Sequence, residues 1–236
     1  MSVRPSVREA DPPSAPAEQT TDERALVQGY SQLASAYESR TVDVVLRGLD
    51  LTIAASILIV LSPLLAAVAL LILVTSGRPV LYRGQRVGQG GRVFKMYKFR
   101  TLRPDAETRL GPYLGIELTR RTELEVTAVG RVLRASHLDE VPQLWNVLRG
   151  EMSIVGPRPI RPPFFAELCR RIPQYWQRLV IRPGVTGFAQ MRITREEDWS
   201  YKLAHDMEYI ADRSVRLYLR VLGATILRIA HRSLRR

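Results

Sequence analysis

The sequence predicts an α+β fold, mainly helical, in which an apolar helix and a small β-hairpin precede amphipathic helices packed around one domain. Three observations carry this prediction. Residues 51–74 contain no charge over 24 positions, strand-like sequence flanks a glycine-rich turn at about 79–102, and helical patterning dominates the remainder of the chain. Domain organisation follows from the same pattern. Residues 1–25 read as a disordered tail, 26–50 as a juxtamembrane helix, 51–74 as a membrane helix, and 75–236 as one domain closed by an interfacial helix.

The tail, "MSVRPSVREADPPSAPAEQTTDER", is rich in Pro, Ser, Ala and acids without apolar periodicity, and it is too acidic for the start of a cleaved signal peptide. Charge then divides the chain. Residues 1–50 hold five arginines against eight acids, whereas residues 75–236 hold thirty Lys/Arg against fifteen acids, and the whole carries +12. A surface this basic attracts phosphates, whether in nucleic acid, anionic lipid or nucleotides.

The apolar stretch "LTIAASILIVLSPLLAAVALLILV" would form a helix of about 36 Å, against a hydrocarbon core of about 30 Å. Ser62 and Pro63 lie at its middle. A proline there removes one backbone hydrogen bond, which a kinked transmembrane helix tolerates. A re-entrant hairpin that dips into one leaflet, with Ser62 bonding a freed carbonyl, fits equally well. In both topologies the basic domain belongs on the cytoplasmic side of the cell inner membrane.

Next, "PVLYRGQRVGQGGRVFKMYKFRTL" reads as two strands joined at Gly88, Gly90 and Gly91. No helix follows directly, so a hairpin turn is a better reading than a nucleotide-binding glycine loop. Lys98 and Arg100 flank Phe99 at the end of the second strand, where they can hold phosphate or guard an edge strand. Residues from about Glu123 to Arg149 are expected to be helical until "GEMSIVGPRP" breaks the pattern, and "IRPGVTGFAQ" at 181–190 is expected to be a structured loop. At the end of the chain, Arg213, Arg216, Arg220, Arg228, Arg232 and Arg235 fall on one side of a helical wheel. Leu217, Val221, Leu222 and Ile229 lie opposite, the pattern of a basic amphipathic helix at a lipid surface.

Metal and redox chemistry are bounded by few residues. The single Cys169 excludes an intramolecular disulfide and a cysteine-based zinc site. His137, His205 and His231 show no metal-ligand spacing, so any metal is expected to be a hard cation on carboxylates and phosphate oxygens.

The acid pair Asp139-Glu140 stands in the apolar run "SHLDEVPQLW". Its ordinary explanation is helix capping: Asp139 is a good N-cap, and Pro142 is acceptable in a first turn. Arg131, Arg134, Lys98, Arg100 and Arg158 surround it in sequence patterning, however, and acids among phosphate-binding cations point to phosphoryl transfer. One carboxylate would attack phosphorus while the other holds Mg²⁺. Adjacent helical residues point about 100° apart, so the two acids are expected to have different roles.

Four motifs in this order resemble the bacterial sugar transferase family, the monotopic phosphoglycosyl transferases: Ser62-Pro63 in the apolar segment, "KFRT" at 98–101, "LDEVPQLWNVLRGEMSIVGPRP" at 138–159 and "RPGVTGFAQ" at 182–190. The resemblance runs from about Val42 to Arg228. It implies a re-entrant membrane helix broken at Ser62-Pro63 and a catalytic domain on the cytoplasmic face. It implies further that Asp139 attacks the β-phosphate of a UDP-sugar, releases UMP and passes the phosphosugar to undecaprenyl phosphate. On the same basis Glu140 would hold Mg²⁺, and Lys98, Arg134 and Arg158 would lie near the phosphates, with Arg100 expected beside them from its place at the strand end. Asp206 matches a family acid placed with that group. Leu102 replaces the family's usual Met, a volume-conserving change, and "MRITREEDWSYK" lacks the family's Asn-Gly-Arg, which bears on sugar selectivity.

The competing reading is a membrane-anchored basic protein that binds nucleic acid or a lipid surface without catalysis. No helix-turn-helix or RNA-binding sheet signature supports a nucleic-acid partner, and that reading gives the acid pair no purpose. Membrane lipid is a partner in every version. A homodimer is compatible with the sequence but not required by it.

Overall fold

The computed structural model describes residues 40–111, 115–192 and 199–234, so the expectations for the tail and for residues 26–39 lie outside the described residues. The first element, α1 (Thr41–Ser76), is a single helix of 36 residues. Residues 41–50 are therefore its first turns and not a separate helix. The Asp43 carboxylate accepts the Arg40 amide at 2.8 Å and satisfies one of the free N-terminal donors. Gly77, at φ 70°, ends the helix with its amide on the Leu73 carbonyl.

Helical structure continues through Pro63. Proline cannot donate to the carbonyl four residues back, which is that of Ile59, and the Ser62 hydroxyl donates to this same oxygen at 2.8 Å. Along its length α1 exposes Ile59, Val60, Leu64, Leu70 and Leu71. An exposed, charge-free apolar surface of this extent is unsuited to water.

Strands β1 (Leu81–Val87) and β2 (Val93–Phe99) pair antiparallel, from Leu81 opposite Phe99 to Val87 opposite Val93. Gly90 and Gly91, at φ 63° and 76°, form the turn, as expected for a hairpin. Short helices α2 (Ala106–Leu110) and α3 (Gly115–Leu124) come next, then α4 (Ala128–Ser136). The N-cap of α4 is Thr127, whose hydroxyl accepts the Gly130 amide at 2.9 Å. His137, in the left-handed conformation at φ 57°, ends it.

The chain then makes a 3₁₀ turn at Leu138–Glu140 before α5 (Gln143–Leu148). Asp139 is thus not the N-cap that the sequence predicts. The left-handed His137 restarts the chain too early, and the N-cap of α5 is Pro142 in helical conformation, with no side-chain cap bond. A second small sheet, unforeseen in the sequence, comes after α5: β3 (Ser153–Val155) pairs parallel with β4 (Gly184–Thr186). Between them lie α6 (Pro162–Arg171) and a 3₁₀ segment, Pro173–Val180. After β4 come α7 (Phe188–Arg192), α8 (Trp199–Asp212) and α9 (Val215–Leu234). Half of the stretch "MRITREEDWSYK", residues 193–198, lies outside the described residues.

Three apolar clusters hold these elements. Leu46 and Ala54 of α1 join Met96, Leu144, Val147, Ile154, Tyr218 and Val221 in the largest. Val68 and Ile72, beyond Pro63, join Phe99 and Leu133 in another. The third, around Phe165, Tyr175, Leu179 and Ile210, ties α6 to α8. Both halves of α1 are therefore packed on the same domain.

The arginine stripe of the last helix does not lie wholly outward. Arg213 is buried in an ion pair with Asp43 at 2.6 Å, and Arg228 donates to the Gln190 carbonyl at 2.6 Å. Arg216 and Arg220 are exposed, together with Leu219, Ile226 and Leu227. The expectation for Arg235 lies outside the described residues, and so does the Arg232 side chain.

The two Gly-Pro motifs meet backbone to backbone. A Cβ on Gly184 would lie 2.1 Å from the Gly156 nitrogen and 2.3 Å from the Thr186 oxygen. Neither neighbour is a flexible side chain, so Gly184→Ala should cost about 3 kcal/mol or more. Thermal unfolding of the purified chain should show Tm lower by roughly 6–12 °C, and an unchanged Tm would show that this contact is not tight.

Candidate active site

The residues that flank the acid pair tie it to the apolar clusters of the domain. Leu138 packs with Val68 and Ile72, while Val141 and Leu144 pack with Ala54, Ile57 and Leu58. The 3₁₀ turn carrying the acids lies against α4 and β2, and the apolar residues that flank the acids reach clusters built on both halves of α1.

Lys98 reaches the pair from the end of β2, with Nζ 2.5 Å from Glu140 Oε1. Both side chains are about three-quarters buried or more, at 19% and 24% exposure, so the charges are screened far less than on an open surface. Burial opposes ionisation of Glu140, but the Lys98 and Arg158 charges outweigh it and keep the carboxyl below the ordinary range. Asp139 behaves in the opposite way. Burial first, and then the neighbouring Glu140 charge, push its carboxyl above the ordinary range, against the weaker pull of Lys98, Arg134 and His137. Asp139 is 8% exposed. It accepts no hydrogen bond among the described residues.

Arg134 is placed by "KFRT". Its Nε donates to Thr101 Oγ1 at 2.9 Å, and the Thr101 carbonyl accepts the Thr127 amide at the N-cap of α4. Gly130 makes the approach possible, because a Cβ there would lie 2.1 Å from the Thr101 oxygen. Arg158 is exposed, and its side chain has no hydrogen-bond or ion-pair partner among the described residues. Its "GPRP" turn is held from below by Arg178, whose Nη2 donates to the Arg158 carbonyl at 3.0 Å.

Two residues expected beside the phosphates are engaged elsewhere. Asp206 lies in a buried ion pair with Arg178 at 2.7 Å, both side chains 5% exposed. It therefore positions the Arg178 that supports the Arg158 turn, and an anion would repel a phosphate in any case. The Arg100 guanidinium is 8% exposed and donates to the Ser76, Gly77 and Arg78 carbonyls, closing the C-terminal end of α1. Sequence reasoning misses Arg86. Burial depresses its pKa against the pull of Tyr82, and the nearby Arg161 and Arg158 charges depress it further, so it stands beside the Arg158 turn. Its only sequence signal is an arginine within a strand otherwise read as a hairpin arm.

No group of three or more His, Cys, Asp or Glu that could hold a metal occurs among the described residues. Two adjacent carboxylates are nevertheless the donor set magnesium uses when substrate phosphates and water complete its shell. The pair fits that ion.

Fold and site together define a domain anchored on an apolar helix, with two unequal carboxylates in a field of cations suited to phosphate chemistry. The profile of one family, described as "Bacterial sugar transferase", matches residues 41–232. The chain belongs to the bacterial sugar transferase family. Its relatives include the UDP-N-acetylgalactosamine-undecaprenyl-phosphate N-acetylgalactosaminephosphotransferase of Aeromonas hydrophila, 36% identical over 199 residues, which cover 83% of this chain and 46% of that one. Another is the UDP-glucose:undecaprenyl-phosphate glucose-1-phosphate transferase of Caulobacter vibrioides, 40% identical over 190 residues, 78% of this chain and 69% of that one. The exopolysaccharide production protein PSS of Rhizobium leguminosarum bv. phaseoli is 37% identical over 197 residues, 78% of this chain and 95% of that one. This chain thus spans about half the length of the Aeromonas relative and nearly all of the Rhizobium one.

Because Asp139 is held above its ordinary pKa, folding costs most where the group is ionised and least where it is protonated. Asp139→Asn removes that cost. In magnesium-free buffer its Tm should exceed the parent's by a few degrees at neutral pH, with the gain shrinking as pH falls toward the unfolded carboxylate pKa of about 3.9. A Tm below the parent's across this range would mean the carboxylate is stabilised in place.

Proposed function

We propose that the protein transfers a sugar-1-phosphate from a UDP-sugar to undecaprenyl phosphate, the first membrane step of a surface glycan. The observation that carries the reading is the unequal pair: Asp139 buried and unbonded, Glu140 fixed on Lys98 beside Arg134 and Arg158. The names of the relatives support the donor and acceptor classes.

In the first step a carboxylate oxygen of Asp139 attacks the β-phosphorus of the UDP-sugar. The bond from that phosphorus to the bridging oxygen breaks, and UMP leaves with the electron pair. Asp139 then carries the phosphosugar as an acyl phosphate. Burial of the carboxylate favours this attack, since a desolvated anion is the stronger nucleophile. Next, a phosphate oxygen of undecaprenyl phosphate attacks the same phosphorus, the acyl bond breaks, and the Asp139 carboxylate is restored. Glu140, with Asp139 beside it, would hold magnesium, which when bound screens the phosphate charges. Lys98 orients Glu140, while Arg134 and Arg158 neutralise charge on the phosphates.

The acids are flanked by Leu138, Val141 and Leu144, which pack in clusters shared with both halves of α1, and this supports a reaction near the membrane surface, where a polyprenyl carrier presents its phosphate. We also favour α1 entering and leaving by the same cytoplasmic face. Its two halves are anchored on one domain, through Leu46 and Ala54 before Pro63 and through Val68, Ile72 and the Arg100 clasp after it. The basic charge of the domain favours the cytoplasmic side.

Membranes containing the protein should convert a UDP-sugar and undecaprenyl phosphate to UMP and a lipid-linked sugar. Without acceptor, label from the donor β-phosphate should remain on the chain. Asp139→Asn should lose both, with turnover down by at least ~10³-fold, and full turnover by this variant would remove Asp139 from the nucleophile role.

For topology, a cysteine replacing Ser14 should stay unlabelled by an impermeant thiol reagent on intact cells and react once the membrane is opened. Labelling of intact cells would rule out one-sided entry.

A further inference from the structure

A cavity of about 190 Å³ lies at the C-terminal end of α5, the end opposite the acid pair. It is bounded by the first turns of α1, by β3 and by the segment leading into β4. One water needs only ~10–15 Å³ on such a measure, so the cavity admits a polyatomic group.

Two arginines from distant parts of the chain meet there. Arg47 Nη2 donates to the Leu148 carbonyl at 3.2 Å, and Arg182 Nε donates to the Gly150 carbonyl at 2.9 Å. Closing the end of α5 accounts for one nitrogen of each. It does not account for Arg47 Nη1, which is enclosed and has no partner among the described residues. A buried cationic donor without an acceptor is unfavourable, and the two guanidinium groups are close enough to repel each other.

The acids lining the cavity do not resolve this. Asp43 is ion-paired with Arg213. Asp50 Oδ1 accepts from the Ser153 hydroxyl, the Ile154 amide and the Tyr218 hydroxyl at 2.8–3.0 Å, and its charge acts on Arg47 without a direct ion pair. With Asp43 paired to Arg213, Arg47 and Arg182 against Asp50 leave one net positive charge beside a space large enough for an anion. Two guanidinium forks are suited to the oxygens of a phosphate.

We propose that this cavity binds the phosphate of an anionic membrane lipid, held between Arg47 and Arg182. Arg47 precedes Leu51, where the charge-free run begins, by four residues or about 6 Å of helix. That is the depth at which headgroup phosphates lie and at which basic pockets beside membrane helices bind them. A free phosphate shares the chemistry but has no reason to collect at this level. The inference rests on the entry of α1 into the membrane and not on the transferase reading.

The test uses the full chain in nanodiscs of phosphatidylglycerol or phosphatidylcholine, released for native mass spectrometry, with and without excess inorganic phosphate. The parent should retain phosphatidylglycerol, and the Arg47→Gln/Arg182→Gln variant should retain roughly tenfold less, with phosphate failing to displace the lipid. Arg182→Lys, which keeps the charge and loses the fork, should fall between them. It also decides the matter if the double variant does not fold, as judged by its Tm. Equal retention of phosphatidylglycerol by parent and folded variants overturns the proposal, as does retention of phosphatidylcholine as strong as that of phosphatidylglycerol. Displacement of the lipid by inorganic phosphate overturns the lipid assignment in favour of a soluble phosphoryl ligand.

Discussion

The buried carboxylate of Asp50 fixes the rest of the structure. It is 2% exposed, sits at the last polar position before the apolar run, and takes three hydrogen bonds on one oxygen from Ser153, Ile154 and Tyr218. Those partners belong to β3 and α9. One side chain therefore ties the membrane helix, the second sheet and the last helix together, and an anion so deeply placed is tolerable only because its donors are in position. At the far end Arg100 does the converse, a cation whose guanidinium closes on three carbonyls at the end of α1. With both ends fixed by buried charge, α1 has a defined place on the domain that carries the acids.

The same logic holds the opposite wall of the site. Gly156, Gly184 and Gly187 let "GPRP" and "RPGVTG" approach at distances that any side chain would block. The Arg178–Asp206 pair then supports the Arg158 carbonyl from the interior. Arg158 can stand exposed and uncommitted toward Glu140 because its backbone is rigid. Loss of conformational freedom in the loop has been met by packing before any substrate arrives, which is the condition for electrostatic preorganisation.

How far the sequence can be read depends on the range of each interaction. Local signals are reliable: the charge-free run forms α1, the glycine-spaced strands form the β1–β2 hairpin, and the acid pair, Lys98, Arg134 and Arg158 come together. Signals that depend on distant partners are not. Asp50 reads as an ordinary juxtamembrane acid until residues 153, 154 and 218 fold onto it. Arg100 and Asp206 carry the right residue types for a phosphate site, but carbonyls 22–24 residues away claim the first and Arg178 claims the second. The parallel β3–β4 pair has only three residues in each strand and owes its existence to glycine contacts, so no periodicity announces it. Asp139 has the residue type of an N-cap, and a left-handed His137 two positions earlier is enough to defeat that reading.

That departure suits the proposed nucleophile role better than a cap would. A capping aspartate would accept backbone amides, be stabilised as an anion and make a poor nucleophile. In the 3₁₀ turn Asp139 accepts no such bonds among the described residues, and burial together with Glu140 raises its energy as an anion. Glu140, one residue on, projects onto Lys98 and is lowered. The backbone thus separates two chemically similar acids by giving one a partner and withholding it from the other, and pairs whose environments push their pKa values apart divide a reaction between them. The inequality needs no further residue. It follows from where α4 ends.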